Sequence, residues 1–132
     1  MTRVLIVEDE LSLRELYSDF LRDSGFSVDE AVDGETATSK INQGDWDILL
    51  LDIMLPRLDG MEILHKIKTD KSLNSKPVLI MSNLEDPSIV QKCLDSGAKE
   101  FLAKAELTPP DIIKAIERYI PNESETPDPI RG

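Results

Sequence analysis

The chain has 132 residues, 40% hydrophobic and 31% charged, which suits one domain that buries roughly two-thirds of its unfolded surface. Its 15 Lys and Arg against 26 Asp and Glu leave a net charge of −11, a surface that repels phosphate backbones and anionic lipids and excludes direct nucleic-acid or membrane binding. The single cysteine, Cys93, excludes an internal disulfide, the start MTR has no signal-peptide layout, and no apolar run nears the ~20 residues of a membrane span, so a soluble cytoplasmic protein is expected.

Arg3 to Val7 is a short β-branched run and the first expected strand. Leu13, Leu16, Tyr17, Phe20 and Leu21 then recur at helical spacing from about Leu11, and Ser24-Gly25 ends this helix. Phe26 to Ala31 alternates as a second strand; Asp33-Gly34 opens a second helix with Ala37 and Ile41 facing a core, and Gln43-Gly44-Asp45 closes it. Trp46 to Leu51 is apolar on both faces, the pattern of a central parallel strand covered by helices. A third helix is expected from about Met61 to Thr69, and a fourth strand from Pro77 to Met81. Asp86-Pro87 is a cap followed by proline at the first helical position, with Ile89, Val90, Cys93 and Leu94 facing inward and Gly97 ending the helix. Glu100 to Ala103 is the fifth strand, and Thr108-Pro109 opens a fifth helix that turns Ile112, Ile113, Ile116, Tyr119 and Ile120 inward.

This alternation implies an α/β fold, a doubly wound five-stranded parallel sheet in the flavodoxin-like order 2-1-3-4-5 with helices on both faces. The domain is expected over residues 1–121, and the polar, proline-rich residues 122–132 are expected to be disordered. With no output domain expected after the fifth helix, the chain is expected to act through a partner or to belong to a longer one.

The carboxyl ends of parallel strands meet at one edge, where ligands bind. Just past the strands lie Glu8 and Asp9, then Asp52, Ser82 and Lys104, and in the order 2-1-3-4-5 the four contributing strands are neighbours. Two unit charges ~4 Å apart repel by about 4 kcal/mol at an effective dielectric near 20, so three carboxylates there call for a proton or a cation. Oxygen donors suit Mg²⁺, and no His/Cys cluster favours zinc. A carboxylate at that edge is also a nucleophile for phosphorus, with Lys104 and Ser82 placed to neutralise phosphoryl oxygens.

The motifs VEDE after the first strand, LLLDIMLPRLDG around Asp52, MSN at the fourth and GAKEFLAK across the fifth resemble the receiver domain of two-component response regulators, of the stand-alone single-domain type. The resemblance runs from about Arg3 to Ile120. It implies that Asp52 accepts a phosphoryl group from a sensor histidine kinase or phosphotransfer protein, with Mg²⁺ held by Glu8, Asp9, Asp52 and the backbone carbonyl of Met54. It also implies that Ser82 and Lys104 contact the phosphoryl group, and that Ser82 and Phe101 form a switch remodelling the face of helix four, strand five and helix five for a downstream protein. A monomer or a phosphorylation-dependent homodimer is compatible with it, and slow autodephosphorylation is the only further chemistry it implies.

Three residues depart from the family pattern: Asn83 where a small residue is usual, Ala105 where proline usually follows the lysine, and Phe101 without a tyrosine hydroxyl. Leu84 and Met54 line the approach to the acceptor by the same analogy. A phosphoaspartate hydrolase is disfavoured because Met54 stands where its second aspartate would be, and a flavin carrier because EDE stands where its phosphate loop would be. The alternative that remains is a receiver-fold interaction module that signals without phosphorylation. Taken singly, Glu8 and Asp9 read as a helix start, Lys104 and His65 as surface residues, Ser82 as a loop serine, Phe101 and Cys93 as core.

Overall fold

The computed structural model describes residues 1–55, 59–83 and 86–120, so the expected tail, most of the proline loop after Asp52, and Leu84 lie outside the described residues. Along the chain run β1 (Arg3–Val7), α1 (Leu11–Asp23), β2 (Ser27–Ala31), α2 (Gly34–Gln43), β3 (Ile48–Asp52), α3 (Gly60–Thr69), β4 (Val78–Ser82), α4 (Pro87–Asp95), β5 (Glu100–Ala103) and α5 (Pro109–Glu117), with a 3-10 turn at Lys104–Glu106. The strands form one parallel sheet in the order β2-β1-β3-β4-β5, as the alternation of elements implies.

Strand alternation divides the core in two. Leu5, Val7, Leu49, Leu51, Val78 and Ile80 pack against α2, α3 and α4 through Ala37, Ile41, Leu64, Ile67 and Cys93. Val4, Ile6, Ile48, Leu50, Leu79 and Met81 pack against α1 and α5 through Tyr17, Leu21, Ile112 and Ile116. β3 and β4 are buried at every position, which is why their sequences run apolar without alternating. Asp33, Asp86 and Thr108 cap α2, α4 and α5 through their side chains as the sequence suggests, and Asp59 does the same for α3.

The buried stripe of α1 is narrower than its apolar spacing implies. Leu16 and Phe20 are exposed, and the inward positions are Tyr17, Ser18 and Leu21 with Leu13 partly buried. Ser18 lies on the opposite flank of the helix from Leu16 and Phe20, so the buried stripe is turned toward it, and its hydroxyl donates to Glu30 Oε1 at 2.9 Å. Leu94 on α4 is likewise exposed, and Cys93 alone on that helix is fully buried.

At the start of α3, a Cβ on Gly60 would lie 2.7 Å from Ile53 Cγ2 and 2.9 Å from Ile53 Cα, a backbone atom that cannot swing aside. This close approach ties α3 to the residue that follows Asp52. Gly60→Ala is expected to destabilise the fold by about 1–3 kcal/mol through overpacking, read as a lower urea midpoint with an unchanged slope.

Hydrogen bonds from Thr36, from Ser88 and from Thr108 hold the Asp33, Asp86 and Asp111 carboxyls below the usual carboxylate range. Groups whose pKa is lower in the folded state stabilise it above their unfolded pKa, about 3.9 for Asp, and lose that contribution as the pH falls through the folded values. The urea midpoint should therefore drop as pH falls below ~5, and Asp33→Asn with Asp86→Asn should shrink that drop while keeping the caps at neutral pH.

Candidate functional site: an acidic cluster at the carboxyl edge of the sheet

Asp52 is the last residue of β3 and pairs in register with Met81 of β4, while Val7 pairs with Leu51. Glu8 therefore stands one step beyond β1, level with Asp52, and its amide extends the ladder by donating to the Ala31 carbonyl at 3.1 Å. Alternation sends both side chains to the α1/α5 side of the sheet, the side of Ile6 and Leu50. Glu8 is fully buried and Asp52 is 3% exposed, which no helix-start reading of Glu8 accounts for. Asp9, the exposed member, completes a group whose ligand atoms lie within 4.8 Å of one another.

Lys104, the first residue past β5, points into this group. Its Nζ lies 2.8 Å from Asp52 Oδ2 and 2.5 Å from Glu8 Oε1, with the side chain 8% exposed. The contact to Asp52 is a hydrogen bond; the one to Glu8 is a charge contact without hydrogen-bond alignment, and Glu8 Oε1 makes no hydrogen bond. The other carboxylate oxygens take backbone donors: Met54 N–H donates to Asp52 Oδ1 at 2.8 Å, and Glu10 N–H to Glu8 Oε2 at 3.2 Å. Met54 thus meets Asp52 through its amide, with its side chain exposed.

Burial pushes the Glu8 carboxyl up, and the charge of Asp52 adds to that; Lys104 and the Glu10 amide oppose the rise without cancelling it. Burial by itself would lower the Lys104 ammonium, but its hydrogen bond to Asp52, its close contact with Glu8 and the charges of both carboxylates outweigh this and leave it raised. An acid raised in this way loses the fold stability as pH climbs through its folded pKa, so an ionised Glu8 is a cost at neutral pH.

Three carboxylates and one ammonium leave an excess of two negative charges when all are ionised. The residues fit a metal on two counts: that excess, and ligand oxygens of Glu8, Asp9 and Asp52 that lie within 4.8 Å of one another. Carboxylate oxygens with no nitrogen or sulfur ligand among them suit a hard cation.

Ser82 ends β4 at the same edge, fully buried, and pairs with Ala103; Ile80 pairs with Phe101. Alternation puts these four residues on the α2/α3/α4 side, where Phe101 packs half-buried against the core. Asn83, one residue on, is exposed, and the Lys104-Ala105 bond is trans within the 3-10 turn. Three contributors had no sequence signal of their own: Arg14, Ser18 and Glu30, which lie behind the acidic loop. Arg14 Nη1 donates to the carbonyls of Glu8 and Asp9 at 3.0 and 3.4 Å. Among the described residues no helix is long and apolar enough to cross a membrane.

Residues 4–117 match the family described as the response regulator receiver domain. The chain is similar to the gliding motility regulatory protein of Myxococcus xanthus, 35% identical over 116 residues that make up 88% of this chain and 15% of that protein. It is also similar to the two-component response regulator ORR11 of Oryza sativa subsp. japonica, 31% identical over 119 residues, 89% of this chain and 80% of the relative. Among solved structures it resembles the Vibrio cholerae chemotaxis protein CheY4, with TM-score 0.82 and 28% identity over 91% of this chain and 99% of that one. The chain spans half or less of the length of several curated relatives it matches, from 15% to 50%.

Lys104→Ala, measured by urea denaturation at neutral pH in chelator, should cost about 3 kcal/mol, because it strands two buried carboxylates. Adding Glu8→Gln should recover part of that loss by removing one of the charges left bare.

Proposed function

The chain belongs to the response regulator receiver domain family, and we propose that it is a phosphoacceptor switch in which Asp52 takes a phosphoryl group from a phosphohistidine on a sensor kinase or phosphotransfer protein. The observation that carries this reading is the Lys104 ammonium 2.8 Å from Asp52 Oδ2, at the edge of the sheet where a donor can approach. An Asp52 oxygen attacks phosphorus, the bond to the donor imidazole nitrogen breaks, and that nitrogen keeps the electron pair. Lys104 and the Ser82 hydroxyl neutralise charge on the phosphoryl oxygens. Glu8, Asp9, Asp52 and the Met54 carbonyl would hold Mg²⁺, which when bound supplies further positive charge to those oxygens.

Ser82 moves toward the phosphoryl group, and Phe101, two residues from Ser82's register partner on the same face, swings into the space released. The face of α4, β5 and α5 then changes its fit to a downstream protein, a two-state element biased by new charge. The switch works in the cytoplasm, as a monomer or as a homodimer formed on phosphorylation, and releases no product beyond phosphate from slow autodephosphorylation. Its domain is residues 1–121, with 122–132 as an appended tail.

Incubation with acetyl phosphate and Mg²⁺, followed by intact mass, should show an adduct of ~80 Da, one phosphoryl group, on wild type and none on Asp52→Asn. No adduct on wild type would leave a receiver fold that recruits partners without phosphorylation.

A further inference from the structure

We propose that Arg14 is the positioning residue of the acidic loop, holding Glu8 and Asp9 in the arrangement that takes a divalent cation; this rests on the phosphoacceptor reading above. A guanidinium beside three carboxylates would ordinarily pair with them. The hydrogen bonds of Arg14 go instead to the backbone carbonyls of Glu8 and Asp9, behind the carboxylates. Its ion pair is with Glu30 on β2, Nε to Oε1 at 3.6 Å, and the Arg14 side chain is 12% exposed.

Glu30 is itself held. The buried Ser18 hydroxyl donates to its Oε1 at 2.9 Å, and Arg22 Nη2 lies 3.8 Å from its Oε2. The chain of contacts therefore runs from Ser18 through Glu30 and Arg14 to the two carbonyls. Glu8 is gripped on both sides of its backbone, at the amide by Ala31 and at the carbonyl by Arg14. Its carboxylate, and that of Asp9, are left to the front of the loop. α1 begins with Glu10 as a cap whose own side chain makes no capping hydrogen bond, so Arg14, together with the Glu8 carboxylate that accepts the Glu10 N–H, anchors the approach to this helix.

Two effects of Arg14 on a bound cation have opposite signs. As a nearby positive charge it weakens cation binding, so its removal should tighten binding. As the support that orients the ligands it strengthens binding, and loss of such support typically costs tenfold or more in metal affinity. The sign of the change therefore separates positioning from charge, and an effect on folding alone would not move the affinity of the folded protein.

The test is a calorimetric titration of MgCl₂ into the full chain for wild type, Arg14→Gln, Arg14→Lys and Ser18→Ala, each checked as folded in chelator by circular dichroism. Arg14→Gln should weaken binding about tenfold. Ser18→Ala, which alters no charge, should weaken it in the same direction, and Arg14→Lys should fall between wild type and Arg14→Gln. Equal or tighter binding by folded Arg14→Gln overturns the inference while the phosphoacceptor reading stands. If Arg14→Gln does not fold, wild-type affinity in both Arg14→Lys and Ser18→Ala overturns it. A wild type that takes up no Mg²⁺ overturns the phosphoacceptor reading and this inference together.

Discussion

One ammonium shared between two buried carboxylates is the constraint on which the site depends. Lys104 reaches Asp52 and Glu8 from β5, across the width of three strands, and each of those side chains is nearly or fully removed from water. A buried ion group of this kind tolerates little displacement, since stranding one partner costs several kcal/mol. The register of β1 on β3, β3 on β4 and β4 on β5 must therefore be fixed to the residue, because a slip of one position turns a side chain to the opposite face. The uninterrupted apolar strands β3 and β4, packed on both sides, are what hold that register. The oily run that ends on Asp52 and the charge it ends on are parts of one device.

The sheet edge also separates two tasks. Glu8 and Asp52 face the α1/α5 side, where Tyr17, Leu21, Ile112 and Ile116 back them. Ser82 and Phe101 belong by register to the α2/α3/α4 side. In the proposed reaction, chemistry at Asp52 is reported by a hydroxyl whose strand face is the other one. Only at the carboxyl edge, where the backbone stops dividing the two layers, can a group on one side draw on a group from the other. The coupling then needs no long path: Phe101 is a diagonal neighbour of Ser82 on adjacent strands.

The fold was legible because its signals are local and agree with one another. Asp33-Gly34, Asp86-Pro87 and Thr108-Pro109 each state a helix start by side-chain chemistry, and each is observed as a cap. The candidate site was legible for a related reason, since strand ends in a parallel sheet converge and Glu8, Asp9, Asp52 and Lys104 all lie at such ends. What stayed hidden was pairing at a distance. Leu16 and Phe20 match the helical period as well as Leu13 and Tyr17 do, and periodicity alone cannot say how wide a stripe the sheet covers. Ser18 carried no signal because its partner, Glu30, is twelve residues away on a strand whose neighbour only the folded sheet defines.

The two cations near the acidic loop illustrate why Lys and Arg are not interchangeable. Lys104 is a compact charge at the end of a flexible stem, aimed at the carboxylates themselves, and a stem of that kind can follow charge that moves from a carboxylate to a phosphoryl group. Arg14 presents Nη1 to two successive carbonyls and Nε to Glu30, two donor nitrogens set apart on one rigid plane that a single ammonium cannot reproduce. Exchanging them would put a rigid fork where adjustment is needed and a mobile point charge where rigidity is needed. The carboxylate oxygens face Lys104 and the carbonyls behind them face Arg14, so added positive charge at the site contends with Lys104 for oxygens while the hydrogen bonds of Arg14 lie elsewhere.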